Sequence, residues 1–341
     1  MTEKELNEYI TMVNQILKSQ ETLIAGLRKE IDDQKKIILY QNQQINTLIN
    51  NNWVFIKKNF KYINKAQLDY QMTLPFSGGE HNAIKKHKLI VSLTSFPARM
   101  YELKYTIFSL LTQTVQADEI VLWLANDEFP HREEDISREL LLWLKEHGVT
   151  IRWCDNLYSY KKQIFAFREY PDDIIITADD DVYYLSNWLE LLYMDYLEHH
   201  SICSHRAHKV LVKDGAILPY NEWGEAEEDS ESYCNFFTGV GGILYPPHSL
   251  YKDVLCEELF TKICPKQDDV WLWGMAVLND QKIRVVPSKI SDMTCVNLER
   301  ELGISGEATL CASNVGNCEN DKAISDLLQR YPGILERICG E

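Results

Sequence analysis

The stretch DIIITADDDV, residues 173–182, decides the fold. Ile174, Ile175 and Ile176 make an unbroken β-branched run, and a strand that is apolar on both faces belongs inside a parallel sheet covered by helices on each side. Asp179, Asp180 and Asp181 follow directly. Three consecutive carboxylates repel one another, and a hard, oxygen-seeking divalent cation, Mg²⁺ or Mn²⁺, is the natural compensation. Alternate residues of an extended chain point the same way, so Asp179 and Asp181 are the expected metal ligands and Asp180 points elsewhere.

Upstream, KLIVSLTSF (88–96), EIVLWLA (119–125) and 149–153 read as further strands. Between them, 100–112 places Leu103, Ile107, Leu110 and Leu111 on one helical face. A helix over 135–147 has Asp135 near its start and Gly148 just beyond its end, and another is expected over about 159–169. Alternating strands and helices specify an α/β fold with a mostly parallel sheet. Ligands of such sheets sit outside the carboxyl ends of the strands, where the triple Asp lies.

Two later segments add candidates. In NFFTGVGG (235–242), Gly239, Gly241 and Gly242 let backbone approach a ligand closely. In KQDDVWLW (266–273), Asp268 and Asp269 open an apolar helix, where the dipole is expected to keep a carboxylate ionised. The run Glu222–Glu231, with six acids and no base, reads as a solvated loop. His205, Arg206 and His208 follow a strand candidate and either line one side of the expected site or form an ordinary polar loop.

The chain has 341 residues and a formal charge of −16, from 35 basic and 51 acidic residues. That balance repels a polyphosphate backbone and argues against a nucleic-acid partner. Residues 1–65 carry ten Lys/Arg against seven Asp/Glu, so the acidity belongs to the remainder. No run of about 18 apolar residues and no signal-peptide start are present, which points to a cytoplasmic protein. Nine scattered cysteines without a CxxC pair read as reduced thiols.

Leu6, Ile10, Val13, Leu17, Gln20, Ile24, Leu27, Ile31, Gln34, Ile38, Gln41, Ile45 and Leu48 succeed each other at steps of four and three. This a/d register predicts a long coiled-coil helix, hence a homo-oligomer. Trp53–Lys65 mixes aromatics with lysines and has no acid. It is read either as a neck packed on the body or as a segment seeking anionic lipid at the inner membrane face. The expected organisation is a coiled coil over 1–52, a neck and linker over 53–87, an enzymatic domain over 88–290 and a small helical cap over 291–341.

LTSFPAR (93–99), SLLTQTVQADEIVLWLA (109–125) and ITADDDV (176–182) resemble the first strand, the helix with second strand, and the metal motif of GT-A fold nucleotide-sugar glycosyltransferases. The likeness is to the family-2-like bacterial or viral polysaccharide type, over roughly 88–290. It implies a Rossmann-like GT-A sheet and a metal-dependent, inverting transfer from a nucleoside-diphosphate sugar, a UDP-sugar by preference, to a saccharide or lipid-linked saccharide in surface polysaccharide synthesis. Residue by residue it implies donor contacts from Thr94, Ser95, Phe96, Arg99, Asp180, Gly239, Gly241 and Gly242. Tyr160, Lys161 and Lys162 precede a helix where such enzymes contact the donor, Lys161 being the chosen candidate. The DxD carboxylates are Asp179 and Asp181; Asp269, with Asp268 beside it, is the general base, and Trp271 shapes the sugar pocket. The family often uses a later His as a metal ligand, and this chain has none after His248. The alternatives are a retaining glycosyltransferase, a nucleotidyltransferase and a non-catalytic saccharide-binding scaffold. The nucleotidyltransferase ranks lower because LTSFPAR lacks the glycine-rich loop expected after its first strand.

Overall fold

The structure is a computed structural model. It describes residues 12, 14–15, 17–21, 23–31, 33–38, 41, 61–76, 78–79, 86–287, 294–301 and 319–341. The chain divides into two compact units, Met1–Phe60 and Lys61–Glu341. The neck residues 53–60, Ser77, Cys311, Cys318 and the outer heptad positions Leu6, Ile10, Val13, Ile45 and Leu48 lie outside the described residues. In the first unit the described residues between 12 and 41 are helical and exposed.

The second unit is built on one eight-stranded sheet. Its strands are β1 (Leu89–Thr94), β2 (Glu119–Ala125), β3 (Val149–Cys154), β4 (Ile174–Thr177), β5 (Ile202–Ser204), β6 (Ser230–Ser232), β7 (Ile243–Tyr245) and β8 (Ile283–Val285), in spatial order β6-β8-β5-β7-β4-β1-β2-β3. The pairs β4/β1, β1/β2, β2/β3 and β8/β5 are parallel. The pairs β7/β4, β7/β5 and β6/β8 are antiparallel. The expected α/β architecture is therefore present as a mixed sheet, with the parallel half at β4-β1-β2-β3.

Helices cover both faces because the apolar strands alternate between them. Leu89, Val91 and Leu93 of β1 pack with α2 (Leu103–Leu111), α3 (Arg138–Glu146) and α5 (Trp188–His199). Ile90 turns to the opposite layer, with α4 (Lys161–Glu169), α6 (Glu257–Ile263), α7 (Asp268–Leu278), α8 (Glu319–Arg330) and α9 (Gly333–Cys339). The first helix of the unit, α1 (Lys65–Met72), buries Leu68 in a smaller cluster with Tyr105, Phe108 and Val296. Just before it, Lys61–Tyr62 pairs with Thr294–Cys295. The described end of the basic segment thus packs on the body.

Local chemistry accounts for several boundaries. α3 starts at Ser137, whose side chain accepts a hydrogen bond from the Leu140 N–H at 3.3 Å. Asp135, expected near the start, lies instead in the preceding 3₁₀ turn. Gly148 ends that helix with φ +73°, a conformation that a Cβ disfavours. The C-terminal helices pack on the body: Leu327 and Ile334 seat against Gly274 of α7, where an added Cβ would lie 2.5 Å from Leu327 Cδ2. The acidic run is also more ordered than a loop. Gly224–Glu225 pairs with His208 and Lys209, and residues 230–232 form the edge strand β6. Its Asp229 joins Asp195 in holding Arg284. Among the described residues, seven cysteines are free thiols, and no helix is long and apolar enough to cross a membrane.

Candidate functional site

The topology reverses between β1 and β4: from β1 the chain moves outward to β2 and β3, then returns to add β4 on the other side. Loops leaving the carboxyl ends of β1 and β4 diverge there and leave a crevice. The first loop supplies Ser95 and Arg99, the second Asp179–Asp181. The antiparallel strand β7 begins beside the end of β4, with Ile243 opposite Thr177, which brings Gly239–Gly242 to the same edge.

Each of the three aspartates has a different environment. Asp180 is buried and accepts hydrogen bonds from Ser95 Oγ at 2.5 Å and Arg99 Nη1 at 2.6 Å. Its carbonyl accepts from Thr106 Oγ1 at 2.9 Å. Asp181 shares the same guanidinium, Nη1 to Oδ2 at 2.8 Å. Burial pushes the Asp181 carboxyl up to about 7; Arg99 opposes the shift and the charges of Asp180 and Asp179 reinforce it. Asp179 is paired with Lys162, and its N–H donates to the Tyr184 hydroxyl at 2.8 Å.

Lys162 joins this triplet to the second acidic pair. Burial works to lower its pKa, but Asp179 and Asp268 more than offset this and hold the ammonium above its ordinary range. Asp268 accepts from Ser159 Oγ at 2.8 Å and Gln163 Nε2 at 2.9 Å. Asp269 accepts from the Gly239 N–H, 3.1 Å to each oxygen. The expectation that the helix dipole keeps this pair ionised is corrected for Asp269. Burial, with the adjacent Asp268 charge, pushes it up to about 8 against the pull of Lys162 and the Gly239 N–H. A side chain on Gly239 would put its Cβ 3.1 Å from Asp269 Oδ1 and 3.4 Å from Lys162 Nζ.

The other candidates fall into place around this centre or away from it. Thr94 Oγ1 donates to the Trp123 carbonyl at 2.8 Å, and the exposed Phe96 ring lies under the Arg99 guanidinium, 5.2 Å from its centroid. Lys161 turns away and pairs with Glu128 at 2.8 Å; its neighbour Lys162 is the lysine at the carboxylates. Gly241 accepts from Trp188 Nε1 at 2.8 Å, and Gly242, at φ +89°, lies against the same indole. Gly242 therefore serves packing on Trp188, while a Cβ on Gly241 would lie 3.0 Å from Arg206 Cβ. Trp271 is a core residue rather than a pocket wall: its side chain is fully buried and its Nε1 donates to the Val254 carbonyl at 3.1 Å. His208 contacts the Tyr220 ring, 5.4 Å between centroids. Burial lowers its pKa, as does nearby Arg206. His205 is buried against the Trp188 carbonyl.

Sequence reasoning missed Ser159, Gln163, Thr106 and Tyr184, the groups that hold the aspartates in place. Ser159 and Gln163 lie four residues apart on the turn entering α4, a spacing that puts both on one side. Gln163 Oε1 is buried with no hydrogen-bond partner.

Among the described residues, no group of three or more His, Cys, Asp and Glu side chains is arranged to hold a metal ion. The donors present, Asp179 and Asp181, are hard oxygens, each already facing a cationic side chain. That set suits Mg²⁺ or Mn²⁺, which binds through one or two carboxylates and completes its shell with water and phosphate oxygens.

No protein-family model matches the chain, and no curated protein matches it. Many solved structures are similar to it, three of them as follows. A 4-diphosphocytidyl-2C-methyl-D-erythritol synthase from Anaerococcus prevotii is 14% identical, with TM-score 0.40, over 64% of this chain and 95% of that one. A CMP:2-keto-3-deoxy-manno-octonic acid synthetase solved with CTP is 13% identical, with TM-score 0.34, over 58% and 88%. The inositol-1-phosphate CTP transferase of T. maritima is 12% identical, with TM-score 0.36, over 72% and 98%. All three are named for cytidine nucleotides and none for sugar transfer. On that finding the expectation of a nucleotide-sugar glycosyltransferase in polysaccharide synthesis is corrected.

Proposed function

We propose that the second unit is a metal-assisted nucleotidyltransferase. The observation that carries this reading is the charge of the crevice: Asp179, Asp180, Asp181, Asp268 and Asp269 face two cationic side chains, Arg99 and Lys162. Such a surplus of carboxylates suits a substrate that arrives with a divalent cation. A nucleoside triphosphate is that kind of substrate.

Asp179 and Asp181 are the residues that would hold Mg²⁺ or Mn²⁺, whose chemistry is to neutralise the phosphates and stabilise the departing pyrophosphate. Arg99 lies where a guanidinium engages phosphate oxygens in a two-pronged contact. Lys162 adds a buried ammonium beside Asp179. These two side chains take the place of the glycine-rich loop that LTSFPAR lacks. An acceptor oxygen attacks the α-phosphorus, the bond from that phosphorus to the bridging oxygen of the β-phosphate breaks, and pyrophosphate leaves. The acceptor proton passes to the ionised form of Asp269, a fraction that grows as the pH rises toward its raised pKa of about 8.

The test is titration calorimetry of the full chain with the four nucleoside triphosphates, with and without Mg²⁺ or Mn²⁺. Binding that requires the metal and is lost in Asp181→Asn supports the reading. Absence of triphosphate binding in the presence of metal overturns it.

A further inference from the structure

We infer that the N-terminal helix is a self-association device, docking in parallel and in register on the same helix of another copy of this chain. Leu17, Ile24, Leu27, Ile31 and Ile38 are helical and between 48% and 56% exposed in the single chain. They lie along one stripe, widened on one side by Leu23 and Ile37, which are also exposed. The opposite side carries Lys18, Ser19, Lys29, Asp33 and Lys36. A stripe that holds a 3.5-residue period drifts around a straight helix and stays on one line only when helices supercoil about each other. The period therefore specifies another helix as the cover.

The polar positions identify that helix as an identical one. Gln20, Gln34 and Gln41 occupy d positions. In a parallel, in-register pair, d faces d, so each glutamine meets its own copy and amide pairs with amide. In an antiparallel pair d faces a, and the same glutamines would be buried against Ile or Leu with no partner, which is costly. The flanking charges agree. Glu30 precedes an a position and Lys35 follows a d position, and in the parallel arrangement Glu30 of one copy lies across from Lys35 of the next.

The experiment is sedimentation equilibrium of the full chain. A mass that is a multiple of 39.8 kDa is expected, falling to the single-chain mass in Ile24→Asp/Ile31→Asp while the melt of the body is unchanged. A wild-type mass of one chain overturns the inference, as does an undiminished multiple in the double variant. Orientation is read from a charge exchange. Glu30→Lys and Lys35→Glu should each raise the dissociation constant about three- to tenfold at low salt, and the combined variant should restore it. Single effects that add in the combined variant overturn the parallel register.

Discussion

Glu102 is a buried and Asp181 a half-buried acidic side chain of the same unit, and their charges are settled in opposite ways. Glu102, 1% exposed, is held by Lys65 at 2.6 Å, Arg300 at 2.8 Å and Asn297 at 2.8 Å. Burial works to raise its pKa, and the two cations overcome this and lower it. Asp181 shares one guanidinium with Asp180 and feels Arg300 through space, but burial and the neighbouring carboxylates outweigh both and its pKa goes up. The first cluster is complete and ties α1, α2 and residues 297–300 together. The second is short of positive charge where the parallel strands end. On the proposed reading, a metal-bound substrate would supply the charge that the fold does not give Asp181.

The largest expected effect belongs to the complete cluster. Glu102→Ala removes the carboxylate that Lys65 and Arg300 share, and breaking a buried pair by removing one partner costs about 3–5 kcal/mol. Urea denaturation should read that loss, while metal-dependent nucleotide binding by the folded fraction stays as it was. A stability change near zero would mean that Glu102 is no more committed than Asp181. The converse change comes next. Asp181→Asn removes a carboxylate that has too few partners, so the metal-free protein should melt no lower than wild type. Turnover, measured by pyrophosphate release, should fall about 100-fold or more, in the range seen when one electrostatic contact to a transition state is lost. Lower stability without loss of turnover would place Asp181 with Glu102 as a structural group.

A smaller effect separates packing from chemistry within one glycine-rich segment. Gly242→Ala places a Cβ 2.4 Å from Trp188 Cζ2 at a left-handed φ, and overpacking of this kind costs about 1–3 kcal/mol. Gly239→Ala instead crowds Asp269 Oδ1 and Lys162 Nζ. It should change nucleotide affinity more than the melting temperature. Equal effects of the two substitutions on both measurements would erase the distinction.

The parallel half of the sheet was legible because strands buried on both faces read as continuous apolar runs: EIVLWLA is β2 to the residue. The antiparallel part was not. β5, β6, β7 and β8 have three residues each, too few to show a period. At the site, Asp179–Asp181, Arg99 and Asp268–Asp269 announced themselves by charge or adjacency. The choice between Lys161 and Lys162 did not, because consecutive helical residues point about 100° apart and only the packed structure says which faces the carboxylates. Trp271 carried a readable warning. Every residue from Val270 to Val277 is buried, and a helix apolar all round is a core helix rather than a pocket wall.

Asp269 is a carboxylate stabilised less completely than Glu102. Its pKa stands at about 8 against an ordinary 3.8. Between roughly pH 4 and pH 8 the folded chain keeps a proton there that the unfolded chain has released. Because the folded state binds more protons in that window, this group makes stability fall as pH rises, and the full penalty is in place above about pH 8. Asn at this position has nothing to release. The melting temperature of wild type minus that of Asp269→Asn should therefore become steadily more negative from pH 5 to pH 9, with the other titrating groups cancelling in the difference. For Glu102, whose pKa is lowered, the same subtraction against Glu102→Gln has the opposite sign: the ionised group stabilises at neutral pH and that advantage is lost as pH falls through the lowered pKa. Two acids with opposite slopes would set the complete cluster apart from the deficient one. A flat difference for Asp269 would mean that the Gly239 N–H and Lys162 already compensate its charge, and would remove it as the base.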